Sequence, residues 1–252
     1  MTSLPQYKLG RRHLIGAGVV PFAATPRGLV FYLAREKHIK QWRGSHKWSG
    51  FEGGARVGES AIETADREFF EETLGTGRGH PIGAELRQKN FALEVITSHA
   101  NNHQYVTFVK QMDGFHQALP EFSRLRNRIE RLHGLRQRWH ARPAHVPPVH
   151  AHRPCVGDDG VDDETLRWHD HRLRMHTLAL EVQSLCPQCI TLHFDADGLL
   201  KSFVIDECFI EKDAIQPWTL KEILGVLRSG LAEKVFRHSF IPILHVIQRE
   251  FQ

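Results

Sequence analysis

The sequence predicts an α/β fold: a β-rich core interrupted by a mainly helical insertion. Three observations predict it. A hairpin pattern covers residues 14–34. A helix with a start and a stop signal follows Ser60. Strand-type runs then stand on both sides of an arginine-rich helical stretch. The 252 residues suffice for one full core, since a chain of this size buries roughly three quarters of its unfolded surface. With 41% hydrophobic and 25% charged residues, the composition excludes a disordered chain, a collagen-like repeat and a disulfide scaffold.

The first strand is Gly16-Ala17-Gly18-Val19-Val20-Pro21-Phe22. A turn at Thr25-Pro26-Arg27-Gly28 leads to a second, Leu29 to Leu33. Arg11-Arg12 ahead of the apolar run Leu14 to Ala24 has the look of a short export signal. Cleavage there would remove half the hairpin, so the core-strand reading is preferred. Residues 35–50 are a basic connection with Lys37, Lys40, Arg43, Lys47, Trp42 and Trp48. The two tryptophans suit core or rim packing better than base stacking.

Ser60 and Glu63 form a capping box, and Gly75 marks the helix end. Strands are expected at Phe91 to Ile96 and Tyr105 to Val109, around an Ala100-Asn101-Asn102 turn. The character changes near Gly114. Between Pro120 and Pro154 there are eight arginines, no lysine and two glutamates, with Leu125, Ile129, Leu132 and Leu135 at helical spacing. A Pro/His-rich loop, Arg142 to Pro154, and an acidic turn, Asp158 to Glu164, follow. A second helix is expected at 163–184, strands at Ile190 to Phe194 and Ser202 to Phe209, and a last helix at Leu220 to Arg228. The helical insertion therefore runs from about 114 to 190.

The chemistry concentrates at Gly53-Gly54-Ala55-Arg56-Val57-Gly58-Glu59-Ser60 and Ala65-Asp66-Arg67-Glu68-Phe69-Phe70-Glu71-Glu72. At about 100° per residue, Glu68, Glu71 and Glu72 fall on one helix face beside the apolar stripe Ile62, Ala65 and Phe69. Like charges at this spacing repel. A hard divalent cation would turn that repulsion into ligation. Arg67 lies one turn from both Glu63 and Glu71. The glycines allow backbone to come close to a ligand or to the helix start.

These residues resemble the Nudix box: Gly, five residues, Glu, seven residues, Arg-Glu, an apolar residue, any residue, Glu-Glu, any residue, Gly, an apolar residue. Gly53, Glu59, Arg67, Glu68, Phe69, Glu71 and Glu72 match in register. The count starts at the first glycine of the pair, so the loop is one residue short, and Gly75 stands one place late. The resemblance implies an α/β/α sandwich with a mixed sheet. It also implies hydrolysis of a diphosphate linkage in a nucleoside-diphosphate derivative, with Mg²⁺ or Mn²⁺. The metal would be held by Glu68, Glu71 and Glu72, with Glu207 as a further candidate ligand. Glu211, or Glu207, would be the distal base, Arg67 an orienting group, and Gly53 and Gly54 the cofactor-binding loop. Glu59 is either a water-mediated ligand or structural. An acid, then a strand tryptophan and a short helix, often close the family's fold, and Glu211 to Ile223 looks like that feature.

The box does not name the substrate. The arginine-rich insertion suits a polyanion such as capped RNA. A small nucleotide or diphosphoinositol substrate stays open beside it, as does a non-catalytic Nudix-like binding module. Four cysteines point to a reducing, intracellular compartment, cytoplasmic or nuclear. No apolar run reaches the roughly 20 residues of a membrane span. Cys186 and Cys189 are either ordinary thiols or, with Cys155 and His169, His171, His176 or His193, zinc ligands.

Overall fold

The computed structural model describes residues 13–77, 80, 82–99, 103–141 and 163–252. Arg11-Arg12, the Ala100–Asn102 turn, the Pro/His-rich loop from Arg142, Cys155 and the acidic residues Asp158, Asp159 and Asp162 lie outside these. The chain divides into two compact units. The first runs to Leu119 and resumes at Glu211; the second is Pro120–Ile210.

In the first unit, β1 (His13–Thr25) and β2 (Gly28–Glu36) form the expected hairpin, with Phe22 opposite Phe31. β3 (Trp48–Ser49) pairs with β2, and β4 (Phe51–Gly54) with β1. Helix α1 (Ala61–Glu72) carries the box glutamates, and α2 (Ile82–Arg87) follows. β5 (Leu93–His99) and β6 (His103–Gln111) are antiparallel, and β6 runs parallel to β1. Strand β1 is thus central. One edge takes β6; the other takes β4 at Gly16–Val19 and β2 at Phe22–Thr25.

Period-two alternation places the two cores. Ala17, Val19 and Ala23 of β1, with Tyr32 and Ala34 of β2, pack with Ala65 and Phe69 of α1. Val20, Phe22, Phe31 and Leu33 face the opposite way. They pack with Ile223, Ile243, Leu244 and Ile247. Those four come from α5 (Leu220–Arg228) and from a helix unmarked in the sequence reading, which is α7 (Ile241–Phe251) after the short α6 (Ala232–Val235). Helices cover both faces of a mixed sheet, so the fold is an α/β/α sandwich.

The second unit begins within α3 (Ala118–His140) and contains α4 (Asp163–Leu185). Leu125, Ile129 and Leu132 are buried on α3, as their spacing predicts, with Phe122 beside them, whereas Leu135 is only half-buried. β7 (Ile190–Phe194) and β8 (Leu200–Ile205) pair with each other as a separate two-stranded sheet. The strand expected to continue to Phe209 stops at Ile205. Asp206 donates its N–H to the Cys189 carbonyl at 3.1 Å and accepts the Cys208 N–H on its side chain, so the chain turns. Cys186 and Cys189 are joined as a disulfide between α4 and β7, both fully buried. The ordinary-thiol and zinc readings both give way to that cross-link. His171 bonds the Leu135 carbonyl and His176 accepts the Leu200 N–H. The last strand, β9 (Lys212–Thr219), returns to the first unit beside β2 and carries Trp218. Among the described residues, no helix is long and apolar enough to cross a membrane.

Candidate active site

The site grows from the junction of β4 and α1. The Ser60 side chain accepts the Glu63 N–H, and Glu63 returns a bond to the Ser60 N–H at 2.9 Å, so the capping box fixes the helix start. Glu63 is thereby used up, and the expected Arg67–Glu63 pair does not form. Instead the loop ahead of the helix folds back. Arg67 Nε lies 2.8 Å from Glu59 Oε1, and its Nη2 donates to Glu59 Oε2 at 2.9 Å and to the Gly54 carbonyl at 2.7 Å.

The remaining nitrogen of Arg67 gathers two box acids. Nη1 is 2.6 Å from Glu68 Oε1 and 3.0 Å from Glu71 Oε2. Arg56 adds a bond to Glu71 Oε1 at 3.0 Å. Glu68 and Glu71 are only 7% and 6% exposed, which excludes a plain solvated acidic face. Burial pushes the Glu68 carboxyl above its ordinary range, although Arg67 pulls it back.

Glu59 is held by several hydrogen bonds in this arrangement. Its carboxylate also accepts the Arg56 N–H at 2.9 Å and the Thr64 hydroxyl at 3.1 Å. The Arg67 hydrogen bonds, then those of Arg56 and Thr64, hold its pKa down to about 2.

Gly53 explains why the box begins with glycine. A Cβ at Gly53 would overlap the Glu68 carboxylate, whereas one at Gly54 would meet nothing closer than the Ile15 carbonyl at 3.9 Å. The Gly53 carbonyl accepts the Tyr105 hydroxyl at 3.2 Å. Tyr105 is itself held neutral far above the ordinary phenol range, by desolvation and by the nearby Glu52 and Glu72.

Glu72 departs from the expected trio. It turns inward, where Oε2 accepts the Glu52 N–H at 2.8 Å and Oε1 lies 3.0 Å from Lys212 Nζ. Lys212 also donates to Glu36 at 2.5 Å and to Ser49 at 3.2 Å. Arg237 Nη1 reaches Glu36 at 2.9 Å and stands 3.5 Å from Glu52. Three buried carboxylates thus face two cations. Burial pushes Glu72 well above its ordinary value, against Lys212, while Glu36 and Glu68 push it further. Glu36, Glu52, Tyr105, Lys212 and Arg237 carried no sequence signal, because their partners are remote in the chain.

Glu211, at the start of the returning segment, is exposed and close enough to Glu68 to act on it as a like charge. Glu207 belongs to the second unit, in the wall of a 350 Å³ hollow with Gln188 and Thr191.

The donor set fits a hard divalent cation in type: carboxylate oxygens, a glycine cradle, and the buried Oε1 atoms of Glu52 and Glu72 without an aligned hydrogen bond. Among the described residues, no three acids, histidines or cysteines are already grouped around one point. Arg67 stands between Glu68 and Glu71, and Glu72 is held by Lys212.

No family model matches this chain, and no curated protein matches it. Among solved structures it is similar to a MutT/nudix family protein from Enterococcus faecalis, at 19% identity and TM-score 0.30 over 44% of this chain and 40% of that one. It is also similar to a C. elegans Ap4A hydrolase in a binary complex, at 15% identity and TM-score 0.27 over 38% and 64%. A third is the NUDIX domain of Shewanella oneidensis NrtR complexed with ADP ribose, at 15% identity and TM-score 0.25 over 42% and 66%. The match spans less than two thirds of each of these chains.

Proposed function

We propose that this chain is a Nudix hydrolase that cleaves a diphosphate linkage in a nucleoside-diphosphate derivative with Mg²⁺ or Mn²⁺. One observation carries the reading: Arg67 holds Glu68 and Glu71 within 3.0 Å of a single nitrogen, beside a glycine that leaves the Glu68 carboxylate its space. Glu68, Glu71 and Glu72 would hold the metal, which when bound neutralises the diphosphate and lowers the pKa of water. Arg67 sets the direction of both outer acids. Glu211, exposed at the start of the returning segment, would take a proton from the attacking water. Lys212 and Glu52 fix the rotamer of Glu72. Glu207, the further candidate ligand, belongs to the second unit, and this reading uses only residues of the first.

A specific observation favours capped RNA as the substrate class to test beside small nucleotides. Arg124, Arg131, Arg136 and Arg138 of α3 are exposed, whereas Arg128 is paired with Glu181 at 3.0 Å and Arg126 is buried. Such a row suits a phosphate backbone. The deciding experiment incubates the full chain, with Mg²⁺ or Mn²⁺, with ADP-ribose, dinucleoside polyphosphates, diphosphoinositol polyphosphates and capped RNA, and identifies products by mass. Metal-dependent cleavage of any diphosphate link supports the hydrolase. No product from the whole panel rejects it in favour of a binding module. For RNA, affinity is expected to fall steeply with salt; a flat response, or equal turnover of free cap dinucleotide, rejects the RNA reading.

A further inference from the structure

A second basic feature lies against the buried acids of the first unit. The 37–47 loop between β2 and β3 and the 233–239 segment enclose a pocket of about 400 Å³. Its walls include Trp42, Arg43, Lys47, Glu233, Arg237 and His238.

The loop is held in shape. Trp42 N–H donates to the Ile39 carbonyl, Ser45 N–H to Trp42, and Lys47 N–H to Gly44, each at 3.1 Å. The Ser45 hydroxyl accepts the Ile39 N–H at 2.8 Å and donates to the Ile39 carbonyl at 2.5 Å. A Cβ at Gly44 would overlap the Trp42 indole, so glycine there lets the ring lie across the turn. Arg237 covers the indole, with Cζ 5.8 Å from the ring centroid.

Charge in the pocket is unbalanced. Glu233, its one acid, is 3.5 Å from His238. Among the described residues, the side chains of Arg43 and Lys47 have no ion-pair or hydrogen-bond partner. Arg237 reaches from the pocket wall to Glu36 and Glu52, and Glu52 N–H holds Glu72. The pocket is therefore one residue removed from a box glutamate.

We infer that this pocket binds the phosphate chain of a polyphosphorylated substrate, beyond the diphosphate link that is cut. Arg43 and Lys47 bind phosphate oxygens through charge-assisted hydrogen bonds. Arg237 is a positioning residue that ties the pocket to the acids around Glu72. The inference rests on the hydrolase reading only for its place in catalysis. Substrates with phosphates besides the scissile pair are thereby preferred over those with the pair alone.

The test is calorimetric titration of the full chain in EDTA with inorganic tripolyphosphate, ATP and adenosine. Wild type is expected to bind tripolyphosphate and ATP saturably and adenosine not at all. Arg43→Gln/Lys47→Gln is expected to weaken both anions tenfold or more with an unchanged melting temperature, since neither side chain has a partner to lose. Glu71→Gln is expected to bind within threefold of wild type. The inference is overturned if wild type binds neither anion, if the double variant binds as tightly as wild type, or if adenosine competes as well as ATP. Because no turnover is read, a chain inactive on every substrate would reject the hydrolase and leave the pocket standing.

Discussion

Lys212 Nζ lies 3.0 Å from Glu72 Oε1, and each side chain is only 1% exposed. The box acid in this pair is as much a part of the core as of the surface site. Glu71 is buried too, but its side-chain partners among the described residues are Arg67 and the exposed Arg56, not a buried lysine. The two acids should therefore answer substitution differently. Glu71→Gln should lose turnover at least a hundredfold with a melting temperature near wild type. Glu72→Gln should lose turnover and about 3 kcal/mol of stability, the scale for breaking a buried ion pair. Kinetics with Mn²⁺ and thermal melts of both variants check this; equal melts would show that the Lys212 pair is energetically idle.

Gly53→Ala should act on the site more than on the fold. The added methyl meets the end of the Glu68 side chain, which can swing away at little cost in stability. It then no longer points where Arg67 Nη1 holds it. Turnover is expected to fall tenfold or more with a shift of no more than about 1 kcal/mol. Gly54→Ala, with open space around it, is the matched control. Equal losses in the two would detach Gly53 from Glu68.

Glu59 gives a pH signature. Its pKa is held at about 2 by Arg67, below the ordinary 4.5. A carboxyl depressed on folding contributes stability that is complete above its ordinary value and vanishes as pH falls through the folded one. Glu59→Gln should thus melt below wild type at neutral pH, and the gap should close between about pH 4.5 and pH 2. Melting curves across that range decide it. A gap that persists at the acid end would assign the loss to packing.

The Cys186–Cys189 disulfide closes a very short loop, with two residues between the cysteines. A loop of that size confines the unfolded chain by about 2 kcal/mol. Reduction should lower the second unit's stability modestly and leave box-dependent turnover unchanged. Denaturant melts with and without a phosphine reductant measure the first, and turnover assays the second.

What the sequence made legible was local. The capping box spans four residues, and the acidic face of α1 lies within one and a half helical turns, so both could be read from spacing. The hairpin was readable from alternation and its turn. Arg67 was legible as an orienting group and its pair with Glu71 followed from spacing, but its other partner was misassigned. Helical spacing points to Glu63, whereas Glu63 caps the helix and the loop brings Glu59 back across eight residues. The inner acids were not legible at all. Lys212 meets Glu36 across 176 residues and Arg237 meets it across 201, distances over which no periodicity carries information. The same limit hid the separate pairing of β7 with β8, since a strand's composition does not name its neighbour.

The glycines of β1 have a consequence for anyone who redesigns this chain. A methyl at Gly16 would strike Tyr105 and the Gly53 carbonyl, and one at Gly18 would strike Phe51 and Glu52. That strand is a fixed bed on which the reactive loop is cast, and a mutational library spread over it would return mostly dead clones. Diversity placed instead at Lys40, Arg43 and His238, whose side chains are exposed, spares that bed.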